Sequence, residues 1–352
     1  MSTISYLEAI VIGALQGVSE LFPVSSLGHS VLFPALVGGR WATDLSVVGN
    51  DSPYLAVLVA MHVATALALV VFFWSDWVRL VGALFGSIRR RRIRTADERL
   101  VWLLVLATIP VGLAGLVLEH ALRSTLGKPT PAAIFLALNG LVLYAAERMR
   151  RGDATGPAVV ADRGAKVADG PAPDTAPDTT ADVDADTAAD VDPSAPTQVI
   201  DMSGQDTVVL SGLVDTLTAG GDADRRLARL SVREAVLIGA TQILALLPGI
   251  SRSGITIVGG LCRGLRHDDA ARFAFLLSTP VILAAGVLKV PSLFTPQYHS
   301  VLGPALAGSL VAGGCAYLSV RFLTSYFETR TLKPFAIYCL AAGLGSLVYL
   351  AG

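Results

Sequence analysis

Apolar residues in this chain gather in runs of about 20, separated by short polar or basic stretches. An α-helix rises about 1.5 Å per residue, so each run matches the roughly 30 Å hydrocarbon core of a bilayer. Six runs, 53–74, 98–119, 131–148, 269–290, 301–323 and 333–351, predict transmembrane helices. Two further apolar stretches, 5–37 and 231–264, are broken at their centres by FPVSSLGHS and LPGISRSGIT. Pro, Gly and Ser punctuate helices there, and neither half of either stretch is long enough to span alone. Each predicts a helix–loop–helix hairpin that enters and leaves by one face. Irregular backbone at membrane depth is tolerated only where protein buries it or water reaches it.

The two halves resemble each other. ALQGVSELFPVSS (14–26) lies on ATQILALLPGIS (240–251), with Gln16 on Gln242 and, after one gap, Pro23 on Pro248 and Ser26 on Ser251. Each half then reads as one hairpin followed by three spans. Three is odd, so the second copy starts on the opposite face. The predicted fold is an all-α polytopic membrane protein with an inverted-topology repeat, each half a re-entrant helix hairpin plus three transmembrane helices. The expected organisation is a first membrane repeat at 1–151, a loop at 152–224 and a second membrane repeat at 225–352.

Composition sharpens this picture. With 53% hydrophobic and 16% charged residues and a mean hydropathy of +0.61, an ordinary soluble enzyme or a nucleic-acid binder is excluded. The net charge of −1 hides an asymmetry: residues 152–224 hold 15 Asp against one Arg and one Lys, leaving net +12 on the rest. Rich in Ala, Asp, Thr, Pro and Val, 152–224 reads as a disordered acidic loop, a linker between repeats, with a short interfacial helix at 208–217. The six-span, two-hairpin topology puts Arg89–Arg92, Arg94, Arg148, Arg150, Arg151, Arg225, Arg226, Arg229, Arg233, Arg263, Arg266, Arg330 and Lys333 on one face. The positive-inside rule makes that face cytoplasmic. It puts both termini outside, opens the first hairpin outward and the second inward, and places 152–224 in the cytoplasm. The run at 89–94 reads as a topology signal and a contact for anionic lipids. Cys262, Cys315 and Cys339 give neither a disulfide framework nor a zinc site, and the N-terminus lacks the basic region of a cleaved signal peptide.

Ionisable groups inside a membrane are costly and call for an explanation. Glu20 ends the first apolar helix, with Gln16 one turn earlier on the same face; beyond the break come Ser25, Ser26 and His29. The second break carries Gly249, Ser251, Arg252, Ser253, Gly254 and Thr256. If the breaks meet, helix N-termini, glycine-flanked amides and an Arg form an anion site, with phosphate the natural ligand. A hydroxyl beside His and Glu supplies nucleophile and base. Alternatively, Glu20 with Gln16 holds a hard divalent cation. Taken singly, each residue has a structural reading: the Glu as a proton relay, the His as a hydrogen-bonded group, the serines as helix caps, the Arg as a partner for carbonyls.

QGVSELFPVSSLGH (16–29) and LPGISRSGIT (247–256) resemble the two signature motifs of the undecaprenyl-diphosphatase, or bacitracin-resistance, family. The similarity continues through FAFLLSTPVILAAG (273–286) and KPFAIY (333–338), covering roughly everything except 152–224. The resemblance implies an integral-membrane phosphatase of the bacterial plasma membrane. It would convert undecaprenyl diphosphate to undecaprenyl phosphate and inorganic phosphate, with an active site toward the outer face. It also implies a divalent cation, Mg²⁺ or Ca²⁺. Essential family residues map onto Glu20, Ser26, His29 and Arg252, with Gln16, Ser25, Ser251 and Thr256 in support. Gln16 removes one anionic metal ligand. His62 stands where relatives usually have Gln and is read as a pore- or helix-facing polar group, a contribution to the site being the alternative. Cys339 stands where an Arg often follows, and the acidic loop is not a usual family feature.

On this reading Ser26 attacks the terminal phosphorus with His29 or Glu20 as base; an activated water, or His29 as nucleophile, are the rivals. A lipid-phosphate translocase, which the inverted repeat also suits, is the alternative function. The expected partners are the lipid substrate and membrane lipids, with no nucleic acid, and a homo-oligomer is left open.

Overall fold

A computed structural model describes residues 4–47, 52–154 and 221–352. Among them the regular structure is entirely helical. Helix α1 (Tyr6–Leu21) starts with a capping box: the Ser5 hydroxyl accepts from the Glu8 N–H (3.2 Å) and the Glu8 carboxylate accepts from the Ser5 N–H (2.8 Å). A break leads into α2 (Ser26–Val37), then α3 (Gly39–Asp44), α4 (Pro53–Phe72), α5 (Trp74–Arg90), α6 (Ala96–Leu126) and α7 (Pro129–Ala154). The chain is described again from 221. Residues 221–227 are helical and are followed by α8 (Val232–Ala240), a 3₁₀ turn at Thr241–Leu246, a second break and α9 (Arg252–Leu261). Helices α10 (His267–Lys289), α11 (Leu302–Thr329) and α12 (Lys333–Ala351) complete it.

Six helices are long and apolar enough to cross a membrane: Pro53–Phe72, Ala96–Leu118, Pro129–Arg150, His267–Lys289, Tyr298–Thr329 and Lys333–Ala351. They are the six predicted runs, the fifth extended to Thr329. The protein is an all-α, multi-pass membrane protein. Both interrupted stretches form helix–break–helix units. Ser231 and Glu234 cap α8 as Ser5 and Glu8 cap α1, and in each half the capping Ser lies eleven residues before the shared Gln. The first arm of the second unit differs from α1 in tightening into a 3₁₀ turn. There the Thr241 hydroxyl donates to the Ile238 carbonyl at 2.6 Å.

Lipid offers no hydrophobic drive for helices to associate, so small residues that admit close approach matter. Gly13 of α1 lies against Gly308 of α11 so closely that a Cβ on either would meet the other helix's backbone. The buried Tyr54 hydroxyl donates to the Ser30 carbonyl at 2.9 Å, tying α4 to α2.

Two findings depart from the sequence expectations. Residues 75–90, expected as a basic loop, continue as α5, whose Trp74, Val78, Val81, Phe85 and Ile88 are exposed along one face. The spacing is helical, but Asp76, Arg79 and the terminal arginines disguise it in a search for spans. Second, residues 221–224 belong to the folded body. Asp224, 0% exposed, accepts from Arg79 of α5 and from Arg272 of α10 (2.8 Å), while Arg272 also meets Asp76 at 3.0 Å and Arg79 also pairs with Asp97. Such burial of a carboxylate is tolerated because two guanidinium groups compensate it. Nearby, Arg226 binds Asp269 through two bonds of 2.8 and 2.7 Å, which raise the Arg226 pKa above its ordinary value. Glu147 joins His267 (2.6 Å) and the Leu332 N–H (2.8 Å). These links gather the basic segments around α5, α7, α10 and α12 at one end of the bundle. The remainder of the acidic segment, including the expected helix at 208–217, lies outside the described residues.

Candidate active site

The i, i+4 spacing on α1 puts Gln16 and Glu20 on one face, and Gln16 Nε2 donates to Glu20 Oε2 at 2.9 Å. Ser26, the first residue of α2, donates its hydroxyl to the same oxygen at 2.5 Å. The Nε2 of His62, in the middle of α4, approaches it to 3.2 Å. Three side chains from three helices thus converge on one buried carboxylate oxygen. His62 Nδ1 donates to the Leu58 carbonyl at 2.7 Å, so Nε2 is the ring nitrogen turned to Glu20. His62 thus faces Glu20 of α1, and of its two readings this contact favours the contribution to the site.

The first break is shaped by Pro23 and by Ser25, whose backbone takes a positive φ of 71°, costly for a residue with a Cβ. Ser25 caps α2, its hydroxyl accepting from the Gly28 N–H at 3.2 Å. The Ser25 carbonyl takes His29 Nδ1 at 2.7 Å, which leaves Nε2 as the acceptor for the Tyr338 hydroxyl, also at 2.7 Å. The two rings stack with centroids 5.6 Å apart. His29 is thereby turned to α12, and the hydrogen-bond partner of Ser26 is Glu20.

The second break meets the first. Gly28 and Gly249 are in contact, a Cβ on Gly28 falling 2.9 Å from the Gly249 Cα. Gly249 has φ 111°, and any side chain there would strike α7, 2.6 Å from the Leu136 nitrogen. Ser251 caps α9 by accepting from the Gly254 N–H at 3.1 Å. The Ser253 hydroxyl lies 3.2 Å from the Phe22 carbonyl and 3.4 Å from that of Glu20. The Thr256 hydroxyl bonds the Arg252 carbonyl at 2.7 Å, inside its own helix. Arg252 interacts electrostatically with Glu20, yet its Nη1 is buried without a partner. A desolvated guanidinium nitrogen with nothing to donate to is the group an oxyanion would satisfy.

The sequence matches the protein family described as bacitracin resistance protein BacA over residues 9–166 and 205–345. The chain belongs to the BacA family. It is 58% identical over 348 residues to an undecaprenyl-diphosphatase of Mycolicibacterium paratuberculosis, covering 99% of this chain and 98% of that protein. It is 51% identical over 363 residues to undecaprenyl-diphosphatase 1 of Frankia casuarinae, covering 97% of each. An undecaprenyl-diphosphatase of Granulibacter bethesdensis is 36% identical over 358 residues, covering 99% of this chain and 98% of that protein. The family match leaves 167–204 outside its ranges, whereas the alignment with the Mycolicibacterium relative covers 99% of this chain.

Within this BacA chain, Gln16, Glu20, Ser26, His29 and Arg252 all fall in the matched ranges. Gln16 Oε1 is buried with no hydrogen-bond partner, beside the Glu20 carboxylate its own Nε2 binds. An orphaned amide oxygen next to a carboxylate suits a hard divalent cation. Among the described residues no group of three or more His, Cys, Asp and Glu side chains forms a closed metal site. An ion here therefore needs substrate or water oxygens to complete its shell, as Mg²⁺ usually does with phosphates.

Two residues of the site escaped the sequence reading. Tyr338 lies in the KPFAIY segment, but nothing in its spacing announces a partner 309 positions away. Asn139 is a lone amide in an apolar span, and the rule that flagged Glu20 applies to it equally. It is 1% exposed, donates to the Pro23 carbonyl at 3.0 Å and accepts from the Ser251 N–H at 3.1 Å. Cys339, at the position noted for its missing Arg, packs 3.4 Å from the same amide.

Proposed function

We infer that the protein hydrolyses undecaprenyl diphosphate to undecaprenyl phosphate and inorganic phosphate, recycling the lipid carrier for cell-wall synthesis, with resistance to bacitracin as the associated phenotype. The observation that carries this reading is the juncture of the two breaks. It pairs a serine hydroxyl already bonded to a carboxylate with a buried, unpartnered guanidinium nitrogen, in a chain 58% identical to an undecaprenyl-diphosphatase.

The diphosphate enters this pocket from the outer face of the plasma membrane, its isoprenoid tail remaining among the lipid-facing helices. Arg252 and the N–H groups at the start of α9 bind the terminal phosphate. Ser26 Oγ attacks the terminal phosphorus while its proton passes to Glu20 Oε2. An Oγ–P bond forms, the anhydride P–O bond breaks and undecaprenyl phosphate leaves. Water then attacks the phosphoserine; Ser26 departs with the proton held by Glu20, and phosphate leaves with the oxygen and both protons of the water. Charge stabilisation and positioning suffice for such a transfer. His29, committed to Ser25 and Tyr338, leaves Glu20 as the base. Glu20 and Gln16 would hold a Mg²⁺ or Ca²⁺ ion, which when bound neutralises charge on the diphosphate.

Purified protein in detergent, given undecaprenyl diphosphate, is expected to release phosphate. Detergent removes the second compartment, so a translocase releases none. Absence of release, together with movement of the lipid between leaflets of a vesicle, overturns the reading.

A further inference from the structure

We propose that Asn139 is a positioning residue for this hydrolysis, setting the placement of Ser26 relative to Arg252 by bracing the two breaks through one amide. The proposal rests on the function inferred above.

Asn139 is the eleventh residue of α7, about 15 Å along a span that must cross roughly 30 Å, so it lies near the bilayer midplane. Both of its main partners are backbone groups outside regular helix. The Pro23 carbonyl belongs to the first break, and the Ser251 N–H is one of the orphan donors where α9 begins. No lipid group satisfies either one at that depth. A carbonyl only accepts and an N–H only donates. One short side chain serves both only if it carries a donor and an acceptor side by side, which fixes Asn139 Nδ2 on Pro23 and Oδ1 on Ser251. Pro23 is three residues before Ser26, and Ser251 immediately precedes Arg252. The amide thus holds the nucleophile's segment and the phosphate-binding segment to one fixed point on a third element.

That third element is itself closely seated, since the Gly249 backbone lies against Ala132 and Leu136 of α7. A shift of about 1 Å between Ser26 and Arg252 leaves the charge attraction for the diphosphate largely intact but spoils the line of attack, a loss that falls on kcat.

Asn139→Leu keeps the shape and removes both bonds. It is expected to lower kcat about 100-fold with KM changed by less than about threefold. Asn139→Asp supplies a graded rescue. As a neutral acid it donates to Pro23 and accepts from Ser251; as a carboxylate it repels the Pro23 carbonyl. Among the described residues the amide's one ionisable hydrogen-bond partner is Cys339, and dividing by the wild-type profile removes the pH dependence that both proteins share. The kcat ratio of Asn139→Asp to wild type is therefore expected to rise as pH falls, while the ratio for Asn139→Leu stays flat. A brace with no catalytic consequence predicts a lowered melting temperature with wild-type kcat in the folded protein. Wild-type kcat in Asn139→Leu, or a flat ratio for Asn139→Asp, overturns the proposal. If Asn139→Leu does not fold, the Asn139→Asp ratio decides alone. Failure of the wild-type protein to release phosphate would instead defeat the function inferred above.

Discussion

Ser26 Oγ lies 2.5 Å from Glu20 Oε2, a hydroxyl bonded to a carboxylate that also receives Gln16 and approaches His62. This relationship makes serine attack with glutamate as base the route that needs least rearrangement. Ser26→Ala is expected to reduce phosphate release by about 10³-fold or more, and Glu20→Gln comparably. Rapid-quench mass spectrometry of the wild type should find a transient phosphate on Ser26. Full activity in Ser26→Ala would falsify the covalent route and leave an activated water.

Arg252 offers a buried Nη1 with no protein partner. A lysine places a charge there but not two parallel N–H groups. Arg252→Lys should lower kcat/KM by about 10²-fold or more, measured as phosphate release over a range of lipid concentrations.

His62 contacts the Glu20 carboxylate, the proposed base, from a helix of its own. An amide also donates to a carboxylate, so His62→Gln is expected to stay within about tenfold of wild type. His62→Leu, which replaces one of the three polar contacts on Glu20 Oε2 with a hydrocarbon group, should lose about 10²-fold. Equal activity in both variants would remove His62 from the site.

Gln16 Oε1 is the orphaned oxygen on the proposed cation's side of Glu20. Chelation should abolish phosphate release, and Mg²⁺ or Ca²⁺ should restore it. Gln16→Glu adds a negative ligand and is expected to lower the half-saturating cation concentration about tenfold, whereas Gln16→Leu raises it. Activity in chelator equal to that with added ion rules the cation out.

Gly249 combines a φ of 111° with backbone of α7 where a side chain would begin. Gly249→Ala should cost about 2 kcal/mol or more, seen as a lower melting temperature in detergent, and should reduce activity with it. Gly28→Ala has no positive φ, and its nearest approach is 2.9 Å rather than 2.4 Å, so its effect should be smaller.

The spans were legible because bilayer thickness imposes a length and an apolar character that no neighbouring residue can override. The two breaks were legible because Pro, Gly and Ser do locally what they do everywhere, and Ser25 and Ser251 do cap helices as their positions suggest. Contacts made across the fold were not. Asn139 meets Pro23 across 116 positions and Ser251 across 112, and His29 finds Tyr338 across 309. No local pattern encodes such pairings. Asp224 was hidden for a different reason: 14 other aspartates in the same stretch made it look like one more solvated charge.

The seat of Asp224 between Arg79 and Arg272 has a practical consequence. The chain returns from its acidic excursion to an anchor on the same end of the bundle as the start of α10. The described chain therefore leaves at 154 and resumes at an anchored end, and joining two fixed ends costs an entropy that grows only with the logarithm of the length between them. A fluorescent protein or an affinity handle spliced between 155 and 217 should leave the helices in register, seen as phosphate release equal to that of the unmodified protein.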